Sequence, residues 1–408
     1  MNIWLINHYA ISPSQAGGTR HYALCRELVS RGHKVTIIAS SVDYITREEC
    51  HLTPGQKLKL EEKEGVVFLW IRTPAYKTTF GRMWNMLTFA AKLWAGVGQN
   101  GLAQPDLVIG SSPHLFAAYS AGLLAEKLQI PFVLEVRDLW PQSLIDLGNI
   151  SANHPFIILL ENIESWLYRR AARIISLLPG AVDHICAKGA RADTIRWLPN
   201  GIDSSAVPEP MPMRESCPFR IAYTGAHGIA NGLDNVIDAA EMLKRDGLGD
   251  RVHFLFVGEG TEKARLQKRA IECGLNCVTF MEPVGKNDVY EIIQDSDACL
   301  MVLRDSPVFK WGVSPNKLFD YMACAKPVLF GVNTPLNPVE ACDCGISFVA
   351  DEPEAMVAAI KQLISMPLET RLQMGLRGRD YVLDCHNHKK LAVQLEEILL
   401  DVTGTSNA

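Results

Sequence analysis

The chain has 408 residues, of which 48% are hydrophobic, and its formal net charge is −5. This length predicts two or three domains, and the charge gives no general attraction to nucleic acid or acidic lipid. The 11 Cys form no Cys-x-x-Cys pair and no zinc-site spacing, which favours reduced thiols in a cytoplasmic protein. We expect no signal peptide, because the start MNIWLINHYA has no basic segment, and no transmembrane helix, because no apolar run approaches ~20 residues.

Short apolar runs alternate with helical patterns along the chain, which predicts α/β folding with parallel sheets. In the first half, strands are expected at 3–7, 35–40, 66–71, 107–110, 132–136, 174–177 and 194–197. In the second half, they are expected at 220–224, 252–257, 278–281, 298–303, 328–330 and 347–349. We therefore predict two doubly wound, Rossmann-like domains, 1–205 and 219–385, which are joined by a Pro-rich linker, 206–218, and face each other across a cleft.

Two glycine-rich loops at predicted strand ends are candidate anion sites. Gly17 and Gly18 follow the first strand and precede a helix, where the backbone can approach a ligand closely and the helix dipole favours an anion. Gly225 and Gly228 occupy the corresponding loop of the second domain, with His227 between them as a possible hydrogen-bond donor. The alternatives are an ordinary βα turn for the first loop and a solvated side chain for His227.

Residues 312–328, GVSPNKLFDYMACAKPV, contain the most informative motif. Pro315 suits the first turn of a helix, and Ser314 before it is a candidate N-cap. Asn316 and Lys317 follow at the helix start, where backbone N–H groups favour an anion, and Asp320 is three residues beyond Lys317. A cation and a carboxylate at an anion site suit a diphosphate attached to a ribose. The alternative is an ordinary amphipathic helix packed on a sheet.

This motif resembles the nucleotide-binding signature of the GT4-type retaining glycosyltransferases of the GT-B fold, and the resemblance covers nearly the whole chain. Asp320 matches the second acidic residue of the signature, whereas Gly312 occupies the position of the first. The segment that begins Ser314-Pro-x-Lys317 is similar to bacterial surface-polysaccharide transferases for O-antigen and capsule, including those that handle N-acetylfucosamine. The resemblance implies an acceptor-binding N-terminal domain, a donor-binding C-terminal domain and a last helix, 386–408, that returns to the N-terminal domain.

The resemblance also implies roles for residues of the donor domain. Many relatives have basic residues at the positions of Ala226 and Asn231, so the charge for the diphosphate is expected from Lys317, with Arg304 and Lys310 in reserve. The segment Glu282, Pro283 and Val284 matches the strand end that contacts the base in the family.

Arg137 and Asp138 end an inner strand of the first domain, where many relatives have His-Asp. Asp138 is the expected carboxylate near the reacting centre. Arg137 is expected to hold a phosphate or a sugar hydroxyl and cannot act as a base. The alternative for this charged segment, which begins at Glu135, is a buried salt bridge.

Asp295-Ser-Asp297 imitates the Asp-x-Asp metal motif of another glycosyltransferase class. It lies at a helix end before a buried strand, where the family has a structural Asp, and we interpret it as structural. No metal or other cofactor is therefore expected. Cations and backbone N–H groups are expected to stabilise the leaving diphosphate.

Residues 76–94 are cationic and rich in large apolar groups, as in a helix at a membrane surface. Phe80, Arg82 and Trp84 are the predicted membrane contacts. The alternative is a helix that faces the core of the first domain, which would account for Leu87, Ala91 and Trp94 but not for the three predicted contacts.

The resemblance implies a retaining transferase that moves an N-acetylated hexosamine or deoxyhexosamine from a nucleoside diphosphate, UDP being the expected one. The expected acceptor is a polyprenyl-diphosphate-linked saccharide, met by a peripheral enzyme at the inner face of the plasma membrane. Two alternatives stay open. One is a GT-B-fold nucleotide-sugar 2-epimerase, for which Asp138, Asp203 and Glu282 are candidate groups, and the other is a non-catalytic nucleotide-sugar-binding subunit.

Overall fold

The computed structural model describes residues 1–13, 19–96, 101–212, 215 and 217–404. The chain divides into two compact units. The N-terminal unit consists of Met1–Pro199 and the chain from His388 onward, and the C-terminal unit is Asn200–Asn387. Each unit is built on its own sheet, and together they have the two-domain GT-B architecture.

The N-terminal unit contains an eight-stranded sheet with the order β3-β4-β2-β1-β5-β6-β7-β8. The strands are β1 Asn2–Ile6, β2 Lys34–Ser40, β3 Leu58–Lys63, β4 Val66–Ile71, β5 Leu107–Ser111, β6 Phe132–Val136, β7 Arg173–Ser176 and β8 Ile195–Trp197. All neighbours pair in parallel except β3, which runs antiparallel to β4. The sequence analysis missed β3, because this edge strand is largely charged and has no buried residue.

Helices connect the parallel strands of this unit. They are α1 Arg20–Ser30, α2 Thr79–Trp94, α3 Leu115–Leu128, α4 Gln142–Asp146, α5 Pro155–Arg170 and α6 Val182–Ala187. The crossovers through α2, α3 and α5 run in one direction along the sheet, whereas the crossover through α1 runs in the other. Right-handed crossovers therefore place α2, α3 and α5 on one face, with α3 in contact with both neighbours, and α1 on the opposite face.

The C-terminal unit contains six parallel strands in the order β11-β10-β9-β12-β13-β14. They are β9 Phe219–Thr224, β10 Val252–Val257, β11 Val278–Met281, β12 Ala298–Val302, β13 Val328–Gly331 and β14 Gly345–Ser347. The helices are α7 Leu233–Arg245, α8 Lys263–Glu272, α9 Lys286–Gln294, α10 Asn316–Ala323, α11 Pro338–Ala341, α12 Pro353–Ser365 and α13 Leu368–Cys385. Buried strand residues such as Phe254, Phe256 and Leu300 form a core with α7, α8 and α12.

The chain passes from one unit to the other at Pro199–Asn200, whereas the first domain was predicted to extend to residue 205. Hydrogen bonds explain the earlier boundary. The Asn200 N–H donates to Ser314 Oγ (2.9 Å), and His386 Nδ1–H donates to the Asn200 carbonyl oxygen (2.8 Å). The described part of 206–218 likewise belongs to the C-terminal unit rather than forming a separate linker, and so do residues 386 and 387.

The last helix, α14 His388–Thr403, belongs to the N-terminal unit. Its apolar face shares a core with α1, through Leu391 and Leu395 of α14 and Leu24 and Leu28 of α1. Burial of this face against α1 holds the end of the chain on the N-terminal unit, together with ion pairs of Glu396 with Arg31 and His33.

Candidate functional site

The predicted donor residues of the C-terminal unit lie at the carboxyl edge of its sheet. The loop after β9 carries Gly225, His227 and Gly228. The loop after β11 carries Glu282, Pro283 and Val284, and the loop after β12 carries Arg304. Ligands of open parallel α/β sheets bind at this edge.

Lys317, in the first turn of α10, reaches the glycine loop that follows β9. Its Nζ donates to the Tyr223 hydroxyl oxygen (2.6 Å) and to Asn231 Oδ1 (3.1 Å). Gly225 has φ 131°, which favours glycine, and a Cβ at this position would lie 3.2 Å from Lys317 Cε, so the loop and the lysine are close together. Burial of the ammonium lowers the pKa of Lys317 to about 7. The loop and the lysine therefore form one arrangement that can accept an anion.

Asp320 has a different set of partners. Its Oδ2 accepts from Lys286 Nζ (2.5 Å), and its Oδ1 accepts from the Tyr290 hydroxyl (3.4 Å). Burial raises the pKa of Asp320, and Lys286 opposes that effect. Lys317 and Asp320 both lie near the start of α10, as predicted, but their side chains contact different groups. Because Lys286 begins α9, Asp320 lies beside the predicted base-binding segment.

His227 is fully buried, so the solvated alternative is wrong, whereas its role as a donor to a ligand stays a prediction. Its ring lies 5.9 Å from the Phe280 ring and 6.2 Å from the Phe256 ring, and neither ring nitrogen has a hydrogen-bond partner among the described residues. Burial lowers its pKa to about 4. Its backbone holds the glycine loop, because the N–H donates to the Glu259 carbonyl oxygen (2.8 Å).

Glu282 is exposed and forms an ion pair that the sequence analysis missed. Lys263 Nζ donates to Glu282 Oε1 (2.8 Å) and to Glu259 Oε2 (3.2 Å). Pro283 is exposed and Val284 is partly buried in the same connection between β11 and α9. The lysine thus ties the loop after β10 to the predicted base-binding segment.

Ser314 does not cap α10, contrary to the sequence analysis. Its hydroxyl accepts from the Asn200 N–H, and Pro315 is the N-cap residue, with no side-chain hydrogen bond. Asn316 is the first residue of the helix. A serine before a helical pattern predicts an N-cap, but here the hydroxyl accepts a hydrogen bond from Asn200, which is distant in the sequence.

The two reserve cations have different environments. The Arg304 N–H donates to the Ala230 carbonyl oxygen (3.0 Å), which places Arg304 beside the glycine loop. Its guanidinium has no ion-pair partner within the described parts of the chain. Lys310 instead lies over the Trp311 ring, 4.4 Å from its centroid. Arg304 is therefore the better placed of the two for an anion at the loop.

Arg137 and Asp138 follow β6 at the carboxyl edge of the N-terminal sheet. Asp138 is exposed, and Arg137 is partly buried with a backbone N–H that donates to Ser112 Oγ (2.9 Å). The buried Nε of Arg137 has no hydrogen-bond partner in the part of the chain that the structure describes. The buried salt bridge considered as an alternative for this segment is present, but its carboxylate belongs to Glu135.

Glu135 is buried in a polar cluster that the sequence analysis missed. Its carboxylate accepts from Arg20 Nε (3.0 Å), His21 Nε2 (2.5 Å) and Ser111 Oγ (2.7 Å). Burial opposes ionisation, but His21 and Arg20 hold the pKa of Glu135 well below its usual range. Burial lowers the pKa of His21, and Glu135 opposes that effect. The other ring nitrogen of His21, Nδ1, lies 3.0 Å from Asn7 Nδ2.

This cluster fixes the start of α1. Arg20 also donates to the carbonyl oxygens of Leu198 (2.9 Å) and Pro199, the last residues before the chain enters the C-terminal unit. The members come from β1, α1, β5 and β6, so no local pattern could reveal them together. Gly17 and Gly18, which precede α1 in the sequence, lie outside the described residues.

The helix α2 exposes the predicted membrane residues. Phe80 is 81% exposed and Trp84 is 57% exposed, and Arg82 is exposed with its Nε donating to the Tyr9 hydroxyl oxygen (3.3 Å). The core-facing residues of α2 are Asn85, Phe89, Ala90 and Leu93. One face of α2 therefore packs on the core, as the alternative stated, but its assignment of Leu87, Ala91 and Trp94 to that face is wrong, because all three are exposed. No helix in the described part of the chain has the length and apolar character needed to cross a membrane.

Asp297 has a structural partner in the C-terminal sheet. Its Oδ2 accepts from the Arg220 N–H (2.7 Å), which joins the start of β12 to β9, and Asp295 follows the last residue of α9. Among residues 1–13, 19–96, 101–212, 215 and 217–404, no three His, Cys, Asp or Glu side chains are grouped to hold a metal ion.

Two family models together cover most of the chain. Residues 16–201 match the glycosyl transferase 4-like domain, and residues 218–366 match the glycosyl transferases group 1 model. The chain belongs to the GT4-type glycosyltransferases. Each match falls on one of the two units, so the family assignment and the two-unit architecture agree.

Known glycosyltransferases resemble this one along most of its length. It is 25% identical over 361 residues to WcaI of Escherichia coli K12, whose name assigns it to colanic acid biosynthesis; the match covers 83% of this chain and 86% of WcaI. Among solved structures, sucrose-phosphate synthase from Thermosynechococcus elongatus has a TM-score of 0.78 at 16% identity, covering 99% of this chain and 100% of that one. HepE from Anabaena, solved with UDP and glucose, has a TM-score of 0.69 at 13% identity, covering 98% and 100%.

Proposed function

We propose that this glycosyltransferase takes its sugar from a UDP-linked donor, held at the carboxyl edge of the C-terminal sheet. The observation that carries the proposal is the position of Lys317, whose ammonium lies against the loop at Gly225 without a carboxylate partner among the described residues. A donor diphosphate would supply the missing negative charge. The similar fold of HepE, which was solved with UDP and glucose, supports UDP as the nucleotide.

The acceptor is a polyprenyl-diphosphate-linked saccharide of a bacterial surface polysaccharide, bound by the N-terminal unit. The similarity to WcaI supports this class of pathway. The resemblance of the Ser314–Asp320 segment supports an N-acetylated hexosamine or deoxyhexosamine as the transferred sugar.

Transfer proceeds with retention of the anomeric configuration and without a metal ion. The acceptor hydroxyl attacks the anomeric carbon on the face from which the diphosphate leaves, and the departing phosphate oxygen takes the hydroxyl proton. Lys317, Arg304 and the backbone N–H groups of the glycine loop stabilise the charge on the leaving group. Asp138 is the carboxylate assigned to the reacting centre, and Arg137 holds a phosphate or a sugar hydroxyl.

The enzyme docks on anionic membranes through α2, with α5 on the same face of the sheet. Besides Phe80 and Trp84, α5 exposes Ile158 and Leu159. Residues 65–105 contain four Lys or Arg and no Asp or Glu. Exposed aromatic groups beside positively charged side chains suit the headgroup region of an anionic membrane.

The test is a transfer assay with radiolabelled UDP-sugars and bacterial lipid extract, in excess chelator. Labelled lipid-linked product is expected, with the chelator causing no loss. Activity that disappears with chelator and returns with Mg²⁺ or Mn²⁺ would refute metal independence. An epimerised nucleotide sugar in the absence of acceptor would identify an epimerase, and donor binding without turnover would identify a non-catalytic subunit.

A further inference from the structure

Two buried histidines lie where the connections from two neighbouring strands of the N-terminal sheet lead in opposite directions. His8 follows β1, and His114 follows β5 and immediately precedes α3. The chain moves from β1 to β2 on one side, whereas β5 pairs with β1 on the other side. Such a switch point is where open α/β sheets form a crevice for a ligand.

The two imidazoles have no well-formed hydrogen bond within the described part of the chain. His8 is 2% exposed and His114 is 1% exposed, and their ring centroids are 4.6 Å apart. Among the described residues none of their four ring nitrogens has a partner of normal geometry, although the Asn85 side chain is close enough to His8 to raise its pKa. The Nδ2 of Asn85 donates to Thr73 Oγ1 (2.7 Å) and to the Pro74 carbonyl oxygen (2.7 Å). Buried polar atoms in native proteins are nearly always paired, so a concentration of unpaired ones calls for a ligand.

The electrostatics of this pair favour a neutral ligand. Burial lowers the pKa of His8 to about 3 and that of His114 well below its usual value, and the nearby Arg82 adds to both effects. Each ring is therefore neutral and offers one N–H donor and one nitrogen acceptor. A hydroxyl group can also donate and accept a hydrogen bond, so neutral imidazoles suit hydroxyl groups better than an anion, which only accepts.

Aromatic side chains surround the pair, with Phe89 4.8 Å from the His8 ring and Phe116 6.2 Å from the His114 ring. The Tyr9 ring lies 4.4 Å from the His8 ring, is only partly buried and is held by Arg82, which is exposed. Tyr44 lies 6.1 Å from Tyr9 and adjoins a groove of about 500 Å³ lined by residues 45–48 and 75–77. This groove is large enough for a sugar ring.

We propose that His8, His114 and Asn85 form a hydroxyl-binding subsite for a sugar ring of the acceptor, with Tyr9 as its cover. The proposal rests on the proposed function, because it specifies how the N-terminal unit holds the acceptor. The histidines position the acceptor by hydrogen bonds and are not general bases.

The test uses the whole protein, ¹⁵N-labelled at histidine, and methyl glycosides of glucose, galactose and N-acetylglucosamine as probes. At least one glycoside is expected to shift the imidazole signals of His8 and His114. Its affinity should fall at least tenfold in the His8→Phe and His114→Phe variants, and His114→Gln should restore part of it. His253→Phe, in the other unit, is the control and should bind the glycoside normally.

Calorimetric affinity for UDP should be unchanged in the variants, which shows that their C-terminal unit is folded. Unchanged imidazole signals of His21 and His33 should show that the N-terminal unit is folded as well. Absence of any shift, or equal glycoside affinity in the two Phe variants and the His253 control, would overturn the subsite. If glycosides bind as expected but no UDP-sugar supports transfer, the proposed function fails while the subsite stands.

Discussion

Lys317 donates a hydrogen bond to the Tyr223 hydroxyl across 2.6 Å, and no carboxylate in the described chain pairs with it. If this ammonium holds the donor diphosphate, Lys317→Met should weaken UDP binding by ~1.5–3 kcal/mol, the usual range for a hydrogen bond to a charged group. Calorimetry would measure the change. The control Lys268→Met removes an exposed lysine from α8 and should leave UDP affinity unchanged. Equal affinity in the two variants would remove Lys317 from the donor site.

Donor binding should also take up a proton. Burial holds the pKa of free Lys317 at about 7, and a bound diphosphate would raise it, because the anion stabilises the ammonium. At pH 8 the free lysine is mostly neutral, so binding should take up close to one proton, whereas at pH 6 it should take up almost none. Calorimetry in two buffers with different ionisation enthalpies measures the uptake. In Lys317→Met the pH-8 uptake should disappear, and persistence of the uptake would assign it to another group.

Asp320 should contribute to the binding of UDP but not to the binding of inorganic diphosphate. Its carboxylate lies beside Lys286 and the connection from β11 to α9, away from the Lys317 contacts. Asp320→Asn should therefore weaken UDP binding while inorganic diphosphate binds as before. Competition titrations with both ligands would measure this. Equal losses for the two ligands would mean that Asp320 acts on the phosphate site or on the fold.

The sequence predicted the fold well where patterns are local. Apolar runs that alternate with helical patterns indicated both sheets. Gly225, at the end of a predicted strand, indicated the loop that Lys317 approaches. The edge strand β3 was missed because charged residues dominate it. The cluster around Glu135 was missed because its donors, Arg20 and Ser111, are distant in the sequence and meet only through the parallel sheet. Ser314 illustrates the same limit, since its partner is Asn200.

Buried histidines should make the protein less stable in mild acid. Burial lowers the pKa to about 3 for His8 and about 4 for His227, below the ordinary value of 6.5. Between pH 6.5 and the lowered pKa values, the unfolded chain binds more protons than the folded chain. The contribution of each histidine to the free energy of unfolding is therefore fully present above about pH 7 and is lost as the pH falls. Each histidine should contribute about 1.4 kcal/mol per pH unit, or about 2 kcal/mol between pH 6.5 and 5.

Chemical denaturation at these two pH values measures the loss. In His227→Phe the loss should shrink by about 2 kcal/mol, the contribution of one such group. The exposed His154 provides the control, and His154→Gln should leave the pH dependence as it is. An unchanged loss in His227→Phe would show that His227 is protonated in the folded chain.

The exposed aromatic residues of α2 should be the main membrane contact. Phe80→Ser with Trp84→Ser should abolish cosedimentation with anionic liposomes and leave the melting temperature nearly unchanged, because both side chains are exposed. Ile271, which is 79% exposed on α8 of the other unit, provides the control, and Ile271→Ser should sediment like the parent protein. High salt should release part of the parent protein, because positive charge contributes to the attachment and is screened. Loss of binding in both variants alike would point to a general effect of exposed apolar area, whereas full binding of the double variant would place the contact elsewhere, with Ile158 and Leu159 of α5 as the next residues to replace.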